Sequence, residues 1–415
     1  MNSTVALQPP LPSTLRQAAA VFLVFAFAYF LSALLRAVTA TLAPVFSTEL
    51  GLQAADLGLL AGAYFLGFAA MQLPLGLALD RFGPRRVLLA MLSVAVFGCV
   101  AFAFARSLGG LIAARTLIGM GVAACLMAPL TCYRSLLQPG AQLRANSWML
   151  MTGSLGMVSS TVPAQMLLPY WGWRGLFLVL AAMLLLALAL IAWRAPRNTA
   201  PKTASGPDGR YRAIMRHPSF MAMAPLAFFS YGGLIAIQSL WAGPWLTHVA
   251  GRSAEQAAQG LLLINLCMLF AFLAWGMLMP RLAKAGIDAR LLMGWGLPLS
   301  MLMLAAIVIL GPAAGAASWA LWCVLCTFVA PSQPALGQAF PAALAGRALS
   351  AFNLVIFAGV FCLQWGIGLA IDAFMAIGWS QLAAFRGAFG IYGLCCAAAQ
   401  LWFVWVQRPN ADSLR

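Results

Sequence analysis

The stretch Gly76-Leu77-Ala78-Leu79-Asp80-Arg81-Phe82-Gly83-Pro84-Arg85-Arg86 separates two long apolar runs, at 57–79 and 87–105. It places one acid, three arginines and two glycines between segments that are each long enough to cross a bilayer. We therefore expect a short, sharply turned loop in water. Because cytoplasmic loops are enriched in Lys and Arg, the charge of this loop predicts that it lies on the cytoplasmic side.

The composition of the whole chain is that of a polytopic membrane protein. Of its 415 residues, 63% are hydrophobic and 8% are charged, whereas ordinary globular chains carry about 25% charged residues. A membrane span needs about 20 apolar residues. Twelve runs of this kind predict twelve spans: 17–43, 57–79, 87–105, 109–132, 146–168, 174–193, 219–247, 257–280, 290–310, 316–338, 349–371 and 382–406.

The basic residues orient the chain. With these spans, 18 of the 24 Lys and Arg residues fall on the side of the quoted loop, which predicts that both termini are cytoplasmic in a multi-pass protein of a bacterial inner membrane. The net charge of +16 therefore reflects the orientation of the chain in the membrane, and we expect no nucleic-acid partner. Two arginines, Arg36 and Arg115, fall inside predicted spans. Four fall on the opposite side: Arg106, Arg174, Arg252 and Arg386.

Internal repetition divides the chain into two halves. Four short matches recur in the same order in both, among them Ala128-Pro129 with Ala330-Pro331 and Arg144-Ala145 with Arg347-Ala348. The predicted fold is therefore all-α, with twelve transmembrane helices in two pseudo-symmetric six-helix bundles around a cavity. The predicted units are a cytoplasmic tail (1–16), an N-terminal bundle (17–193), a cytoplasmic linker with a short helix at 210–216 (194–218), a C-terminal bundle (219–406) and a second tail (407–415).

Two motifs resemble those of the major facilitator superfamily. Span 4 contains Arg115-Thr116-Leu117-Ile118-Gly119-Met120-Gly121, which is similar to the family's R-x-x-x-G-x-G signature. The quoted loop is similar to the family's loop between helices 2 and 3, roughly G-x-x-x-D-R-x-G-R-R/K, with Pro84 as an extra residue. Its matching residues are Gly76, Asp80, Arg81, Gly83, Arg85 and Arg86.

The resemblance implies transport of a small solute by alternating access. In that family the loop is a latch whose Asp pairs with an Arg in the outward-facing state, so Asp80 and the rest of the loop are expected to control conformation. The alternative is a charge cluster that only sets topology. For Arg115, near the end of helix 4, we expect a role in packing or gating, with direct substrate contact as the alternative.

Arg36 is the main candidate for substrate binding. Tyr29, Ser32 and Arg36 are spaced i, i+3 and i+7, on one face of helix 1, the helix that lines the cavity in the superfamily. An arginine is a permanently charged, bidentate donor suited to carboxylate or phosphate. The alternative is that Arg36 reaches the outer interface or pairs with helix carbonyls. None of the eight acids and neither histidine lies mid-span, so no side chain is an obvious proton carrier.

Other polar and aromatic side chains have the helical spacing of a pocket wall, although amides in a bundle also make interhelical hydrogen bonds. These candidates are Tyr64, Gln72, Gln165, Tyr231, Gln238, Trp241, Asn265, Asn353 and Gln364. The breakers Gly232-Gly233 and Gly243-Pro244 in span 7 mark a candidate gate. The nine cysteines lie in or at the ends of spans and suggest neither a metal nor a disulfide framework.

These features together predict a transporter and not an enzyme. We expect a monomer that takes up a small anionic or zwitterionic organic solute of carboxylate type, with an exchanged anion or a co-transported proton as partner, membrane lipids around it and no cofactor. The first alternative is a proton-coupled exporter of drugs or hydrophobic compounds, against which the absence of the family's G-P-x-x-G-G antiporter motif argues. The second is a membrane-embedded enzyme or lipid-handling protein, for which no activated nucleophile, carboxylate pair or metal cluster is apparent at membrane depth.

Overall fold

A computed structural model of the chain describes residues 15–136, 139–196 and 210–406, and within these ranges it contains helices and no strand. The predicted tails and most of the predicted linker lie outside these ranges. The α-helices are α1 (Leu15–Glu49), α2 (Ala54–Ala70), α3 (Gln72–Phe82), α4 (Pro84–Phe104), α5 (Leu108–Val122), α6 (Ala124–Leu136), α7 (Pro139–Ser159), α8 (Val162–Arg194), α9 (Arg210–Met215), α10 (Pro218–Leu226), α11 (Gly232–Ala236), α12 (Ala242–Pro244), α13 (Ala254–Lys284), α14 (Ala289–Leu310), α15 (Ala316–Cys326), α16 (Ser332–Gln338), α17 (Ala342–Ala376) and α18 (Gln381–Val406).

The described residues include ten helical segments that are long and apolar enough to cross a membrane. Three of these segments join consecutive helices: Leu108–Tyr133, Pro218–Val249 and Ala316–Gln338. The pair α2 and α3, bent by 44°, would make an eleventh. The chain is therefore an all-helical, multi-pass membrane protein. Asp56 marks the start of α2, because its carboxylate accepts a hydrogen bond of 3.2 Å from the backbone N–H of Gln53.

The region of predicted spans 5 and 6 differs most from the expected pattern. The helices here are α7, which is not among the apolar spans, and the 33-residue α8. Polar residues such as Asn146, Thr152 and Ser154 lower the hydropathy of α7. Gly172, which has φ 60° and ψ 176°, breaks α8 between the two predicted spans. A left-handed φ of this kind is accessible to glycine without strain.

Predicted span 7 is one helical segment, Pro218–Val249, that changes helix type along its length. Three π-helical segments interrupt it, at Ala227–Tyr231, Ile237–Trp241 and Trp245–Val249. The wider π turn leaves backbone hydrogen bonds less regular, and such segments are frequent at functional sites. The glycine and proline pairs expected to act as a gate lie in α11 and α12, the short helices between these segments.

The N-terminal half (residues 15–196) and the C-terminal half (residues 210–406) meet along α2 and α17, which pack against each other. Two glycines allow their backbones to touch. A Cβ atom on Gly58 would lie 2.2 Å from the carbonyl oxygen of Gln364, and one on Gly368 would lie 2.3 Å from that of Ala54. Any larger side chain at either glycine would force α2 and α17 apart.

The contact between the halves includes the end of the molecule where α2 begins and α17 ends, here called the Asp372 end. The carboxylate of Asp372 accepts hydrogen bonds from the backbone N–H groups of Ala54 (3.2 Å) and Ala55 (2.7 Å). The α1 helix also crosses the span-7 helix closely, since a Cβ on Gly243 would lie 2.8 Å from the carbonyl oxygen of Ala40. The two halves are therefore joined at this end.

Candidate functional site

Arg36 lies well inside α1, and its side chain is partly buried between the two halves. The Nε atom is buried and has no hydrogen-bond partner. The guanidinium carbon lies 5.9 Å from the centroid of the Phe68 ring on α2, within range of a cation–π contact. A ring face offsets only part of the cost of holding a charge at membrane depth.

The polar groups around Arg36 are phenols. Tyr29 of α1 and Tyr64 of α2 interact electrostatically with its guanidinium. Tyr231, at the end of the first π-helical segment of the C-terminal half, interacts with both Tyr29 and Arg36. The structure thus brings together four of the predicted substrate-binding residues, from both halves. Within the described ranges no carboxylate pairs with Arg36.

Aromatic rings extend this site towards α17. The Phe68 ring stacks on Tyr64, with centroids 6.1 Å apart, and lies 4.5 Å from the ring of Phe357 on α17. Phe65 also stacks on Phe357, at 6.2 Å. The guanidinium of Arg36 therefore lies beside an apolar aromatic cluster contributed by both halves, an environment that strengthens its interaction with any anion that enters.

Arg115 on α5 makes a different set of contacts. Its side chain is 1% exposed and donates hydrogen bonds to the backbone carbonyl of Leu35 (2.9 Å) and to the hydroxyl of Thr39, both on α1. Its guanidinium also lies 5.3 Å from the centroid of the Tyr64 ring. Arg115 thus holds α5 against α1 and α2. These contacts favour the packing role that we expected over direct contact with substrate.

Most of the predicted amides of the C-terminal half bond to each other or to neighbouring helices. Gln238 donates to the side-chain oxygen of Asn265 at 2.8 Å, which joins span 7 to α13. Gln364 on α17 donates to the hydroxyl of Ser239 at 3.0 Å, and its backbone carbonyl accepts from the Trp241 indole at 3.1 Å. These bonds hold the C-terminal half together, although the side-chain oxygen of Gln364 is buried without a partner.

The remaining amides are not gathered around Arg36 by any contact in the described residues. Gln72 donates to the carbonyl of Phe68 in the preceding turn, at 3.2 Å. Asn353 accepts from Gln333 at 2.8 Å, which joins α17 to α16. The side-chain oxygen of Gln165 at the start of α8 is buried and unpartnered. Their role in substrate binding stays a prediction.

The loop at residues 76–86 contains the turn between α3 and α4. Gly83, with φ 77°, makes the turn, and Pro84 begins α4. The guanidinium of Arg85 donates to the carbonyl of Ala192 at 2.5 Å, which ties α4 to the last turn of α8. Asp80 is exposed and has no hydrogen bond or ion pair to any described residue. The latch pair that the resemblance implies is not formed in this structure.

The other residues of the loop are less constrained. Arg86 is exposed. Arg81 is also exposed, and its guanidinium lies 5.2 Å from the centroid of the neighbouring Phe82 ring. A Cβ atom on Gly76 would meet nothing within 4 Å, so packing does not require glycine there. The turn containing Asp80 is here called the Asp80 end of the molecule.

Two acids act at sites that the sequence analysis did not predict. Asp372 joins α17 to the first turn of α2. Glu49 at the end of α1 accepts hydrogen bonds from the Trp173 indole and from Arg174, both at 2.8 Å. One signal was available: an acid at the C-terminal end of a helix is unfavourable unless something compensates it. Both acids are in such positions.

The sequence profile of the Major Facilitator Superfamily matches residues 25–363. The chain belongs to this superfamily. It is therefore a membrane transporter and not an enzyme, as the resemblance of the two motifs implied. Transporters of this superfamily bind small-molecule substrates.

Three curated proteins share parts of the sequence. The chain is 30% identical over 167 residues to the 4-hydroxybenzoate transporter PcaK of Pseudomonas putida, covering 40% of this chain and 37% of that protein. It is 31% identical over 160 residues to the methyl viologen resistance protein SmvA of Salmonella typhimurium, covering 38% of this chain and 32% of that protein. It is 33% identical over 93 residues (22% of each) to the probable sulfoacetate transporter SauU of Cupriavidus necator. The matches span less than two fifths of each relative.

Solved structures of the superfamily share the fold over nearly the whole chain. A bacterial homologue of the human lysosomal transporter Spinster, inward-facing and occupied, superposes with a TM-score of 0.78 at 18% identity, covering 95% of this chain and 98% of that one. The D-xylose-proton symporter superposes with a TM-score of 0.75 at 16% identity, covering 93% of this chain and 97% of that one. At these identities the likeness concerns the fold alone.

Proposed function

We propose that this transporter carries a small anionic or zwitterionic organic solute of carboxylate type across a bacterial inner membrane, in the direction of uptake. The proposed architecture has twelve transmembrane helices in two six-helix bundles, with both termini cytoplasmic, and works as a monomer. The bundles rock about a site near the middle of the membrane. The Asp80 end then faces the cytoplasm and the Asp372 end faces outward.

The observation that carries the proposal is the unpaired cation at Arg36. Its Nε is buried without a hydrogen-bond partner, no described carboxylate pairs with it, and the groups around it come from both halves. A charge held at membrane depth costs about 2.5–3.5 kcal/mol even on the most lenient scale. A bound carboxylate would offset this cost with bidentate, charge-assisted hydrogen bonds.

The relatives support an anion as substrate. PcaK is named a transporter of 4-hydroxybenzoate and SauU a probable transporter of sulfoacetate. Both solutes are organic acids that carry a negative charge near neutral pH. Each match covers less than half of this chain, so the names support the class of substrate and not its identity.

The proposed coupling does not require a protein carboxylate inside the membrane. The acids with assigned contacts, Glu49, Asp56, Asp288 and Asp372, all lie at helix ends. Three modes suit a site with only an arginine: exchange of one anion for another, facilitated diffusion, or proton symport in which the substrate itself carries the proton.

The test is thermal stabilisation of the purified full-length protein by a panel of carboxylates, amino acids, phosphorylated metabolites and methyl viologen. A ligand that binds only the folded state raises apparent stability by about 2.7 kcal/mol at a hundred times its dissociation constant. We expect at least one carboxylate to stabilise the wild type and not Arg36→Gln. Arg252→Gln, which removes an exposed charge outside the site, should respond like the wild type.

A second candidate is export of drugs or hydrophobic cations, which two observations favour. The chain resembles the methyl viologen resistance protein SmvA as closely as it resembles PcaK. The site also has the aromatic rings of Phe65, Phe68 and Phe357, whose faces attract cations. Stabilisation by methyl viologen alone, equal in the wild type and in Arg36→Gln, would support export and overturn the anion proposal.

A further inference from the structure

A groove of about 550 Å³ opens along α10, and Arg36 is not among the residues that line it. It lies between α9, α10, α17 and α18, and no role in substrate transport requires it. Its lining is apolar and includes Met215, Met221, Ala224, Phe228, Val355 and Trp402. Three of these side chains remain exposed: Met215 at 41%, Met221 at 48% and Trp402 at 39%. Exposed apolar side chains beside a membrane-spanning helix indicate that this surface faces lipid.

The mouth of the groove carries positive charge. The side chains of Arg212 and Arg216 are exposed, and neither has an ion pair with any described residue. Arg212 and Arg216 are three residues before and one residue after Met215, which lines the groove. Because the chain is still in a helical turn here, with the N–H of Arg216 bonded to the carbonyl of Arg212 at 3.2 Å, the two arginines and Met215 share one face.

Trp402 marks the level of the membrane interface at this groove. Its indole N–H donates to the backbone carbonyl of Met221 at 3.1 Å, and its ring lines the groove. Tryptophan with one polar and one apolar side is enriched at the headgroup level of bilayers. The free arginines therefore lie where lipid headgroups are, and the apolar lining lies where an acyl chain begins.

From this arrangement we infer that the groove is a binding site for an anionic glycerophospholipid. One acyl chain lies along Met221, Ala224 and Phe228, and the phosphate pairs with Arg212 and Arg216. Guanidinium groups bind phosphate through bidentate, charge-assisted hydrogen bonds, which a zwitterionic headgroup satisfies less well because its own cation competes. The occupant joins α9 and α10 to α18. This site is independent of the anion site at Arg36, and either proposal can fail without the other.

The test is native mass spectrometry of the full-length protein in detergent, with phosphatidylglycerol and phosphatidylcholine of identical acyl chains. Each basic residue close to an anionic lipid surface contributes roughly a five-fold gain in affinity. We expect the wild type to prefer phosphatidylglycerol, and Arg212→Gln/Arg216→Gln to lose up to about 25-fold of that preference. The control Lys284→Gln/Arg290→Gln removes two exposed charges elsewhere and should keep it.

A second variant tests the groove itself. Ala224→Phe fills the apolar lining and should weaken binding of both lipids, whereas soluble glycerol phosphate, which has the headgroup charge and no acyl chain, should not compete. The inference is overturned if the wild type shows no preference for phosphatidylglycerol, or if the control variant loses the preference as fully as Arg212→Gln/Arg216→Gln does. Unchanged lipid binding in Ala224→Phe, or competition by glycerol phosphate at the affinity of the lipid, would equally overturn it.

Discussion

The carboxylate of Asp372 lies 2.7 Å from the backbone nitrogen of Ala55, across 317 residues of sequence. Together with the bond to the N–H of Ala54, it places a negative charge on the first turn of α2, where the helix dipole and the free N–H groups favour an anion. Because Asp372 is in the C-terminal half and α2 is in the N-terminal half, this contact stabilises the state in which the halves are joined at the Asp372 end.

Replacing Asp372 by Asn is expected to open this end. An amide oxygen still accepts a hydrogen bond but lacks the charge, and a charge-assisted bond contributes about 1.5–3 kcal/mol. The equilibrium between the closed and open states should shift by about ten-fold towards the open one. This equilibrium can be measured from the distance between spin labels at Leu52 and Ile377, by electron paramagnetic resonance. Asp372→Asn should add a population at longer distance.

The control for this experiment is Glu255→Gln, which removes an exposed acid at the start of α13. Its distance distribution should match that of the wild type. If Asp372→Asn also matches the wild type, the contact with α2 does not hold the two halves together, and closure at this end depends on packing alone.

Asp80 is expected to act in the opposite direction. In this structure it has no partner within the described ranges, in keeping with a latch that forms only when the Asp372 end is open. Asp80→Asn should destabilise that open state. Added to Asp372→Asn, it should therefore restore the short distance between the labels at Leu52 and Ile377. An unchanged distance distribution in the double variant would show that the loop sets topology and does not act as a latch.

The close packing of α2 and α17 provides a steric prediction. Gly368→Ala places a methyl group 2.3 Å from the carbonyl oxygen of Ala54, whereas Gly366→Ala meets nothing within 4 Å. Overpacking of this kind costs roughly 1–3 kcal/mol. Gly368→Ala should lengthen the label distance as Asp372→Asn does and lower the thermal midpoint, while Gly366→Ala should change neither. Identical behaviour of the two variants would mean that α2 and α17 do not touch in the resting state.

The sequence predicted the helical fold because long apolar runs and the distribution of arginines are local signals. It also placed Tyr29 and Arg36 on one face of helix 1 and gave Tyr64 and Tyr231 as pocket candidates. The structure brings these four side chains together, and their role in substrate binding stays a prediction. The sequence did not predict the contact of Asp372 with Ala55 or the pairing of Gln238 with Asn265, because each depends on which helices become neighbours. Helical spacing shows which side chains share a face of a helix. It does not show which other helix that face packs against.

The break at Gly172 coincides with the boundary that hydropathy predicted between span 5 (146–168) and span 6 (174–193). The break between α7 and α8, at residues 160–161, falls inside predicted span 5 instead, because an apolar run does not show where a helix turns. The three π-helical segments of Pro218–Val249 were likewise visible in the sequence only as nearby glycines and prolines.

Arg36 is expected to reduce the stability of the empty transporter. Since its charge has no acidic partner among the described residues, Arg36→Gln should raise the thermal midpoint without ligand, by up to about 3 kcal/mol of unfolding free energy. Such a trade of stability for function is common at binding sites. Arg252→Gln should leave the midpoint unchanged. A lower midpoint in Arg36→Gln would show that the contacts of the guanidinium with Tyr29, Tyr64 and Phe68 outweigh the cost of its charge.

The most direct test of the central claim, that Arg36 binds the substrate anion, is calorimetric titration with the carboxylate that best stabilises the wild type and with its neutral amide. We expect the wild type to bind the carboxylate and not the amide, Arg36→Lys to bind the carboxylate more weakly, and Arg36→Gln not to bind it. Equal affinity of Arg36→Gln and the wild type for the carboxylate would show that Arg36 does not bind the substrate anion.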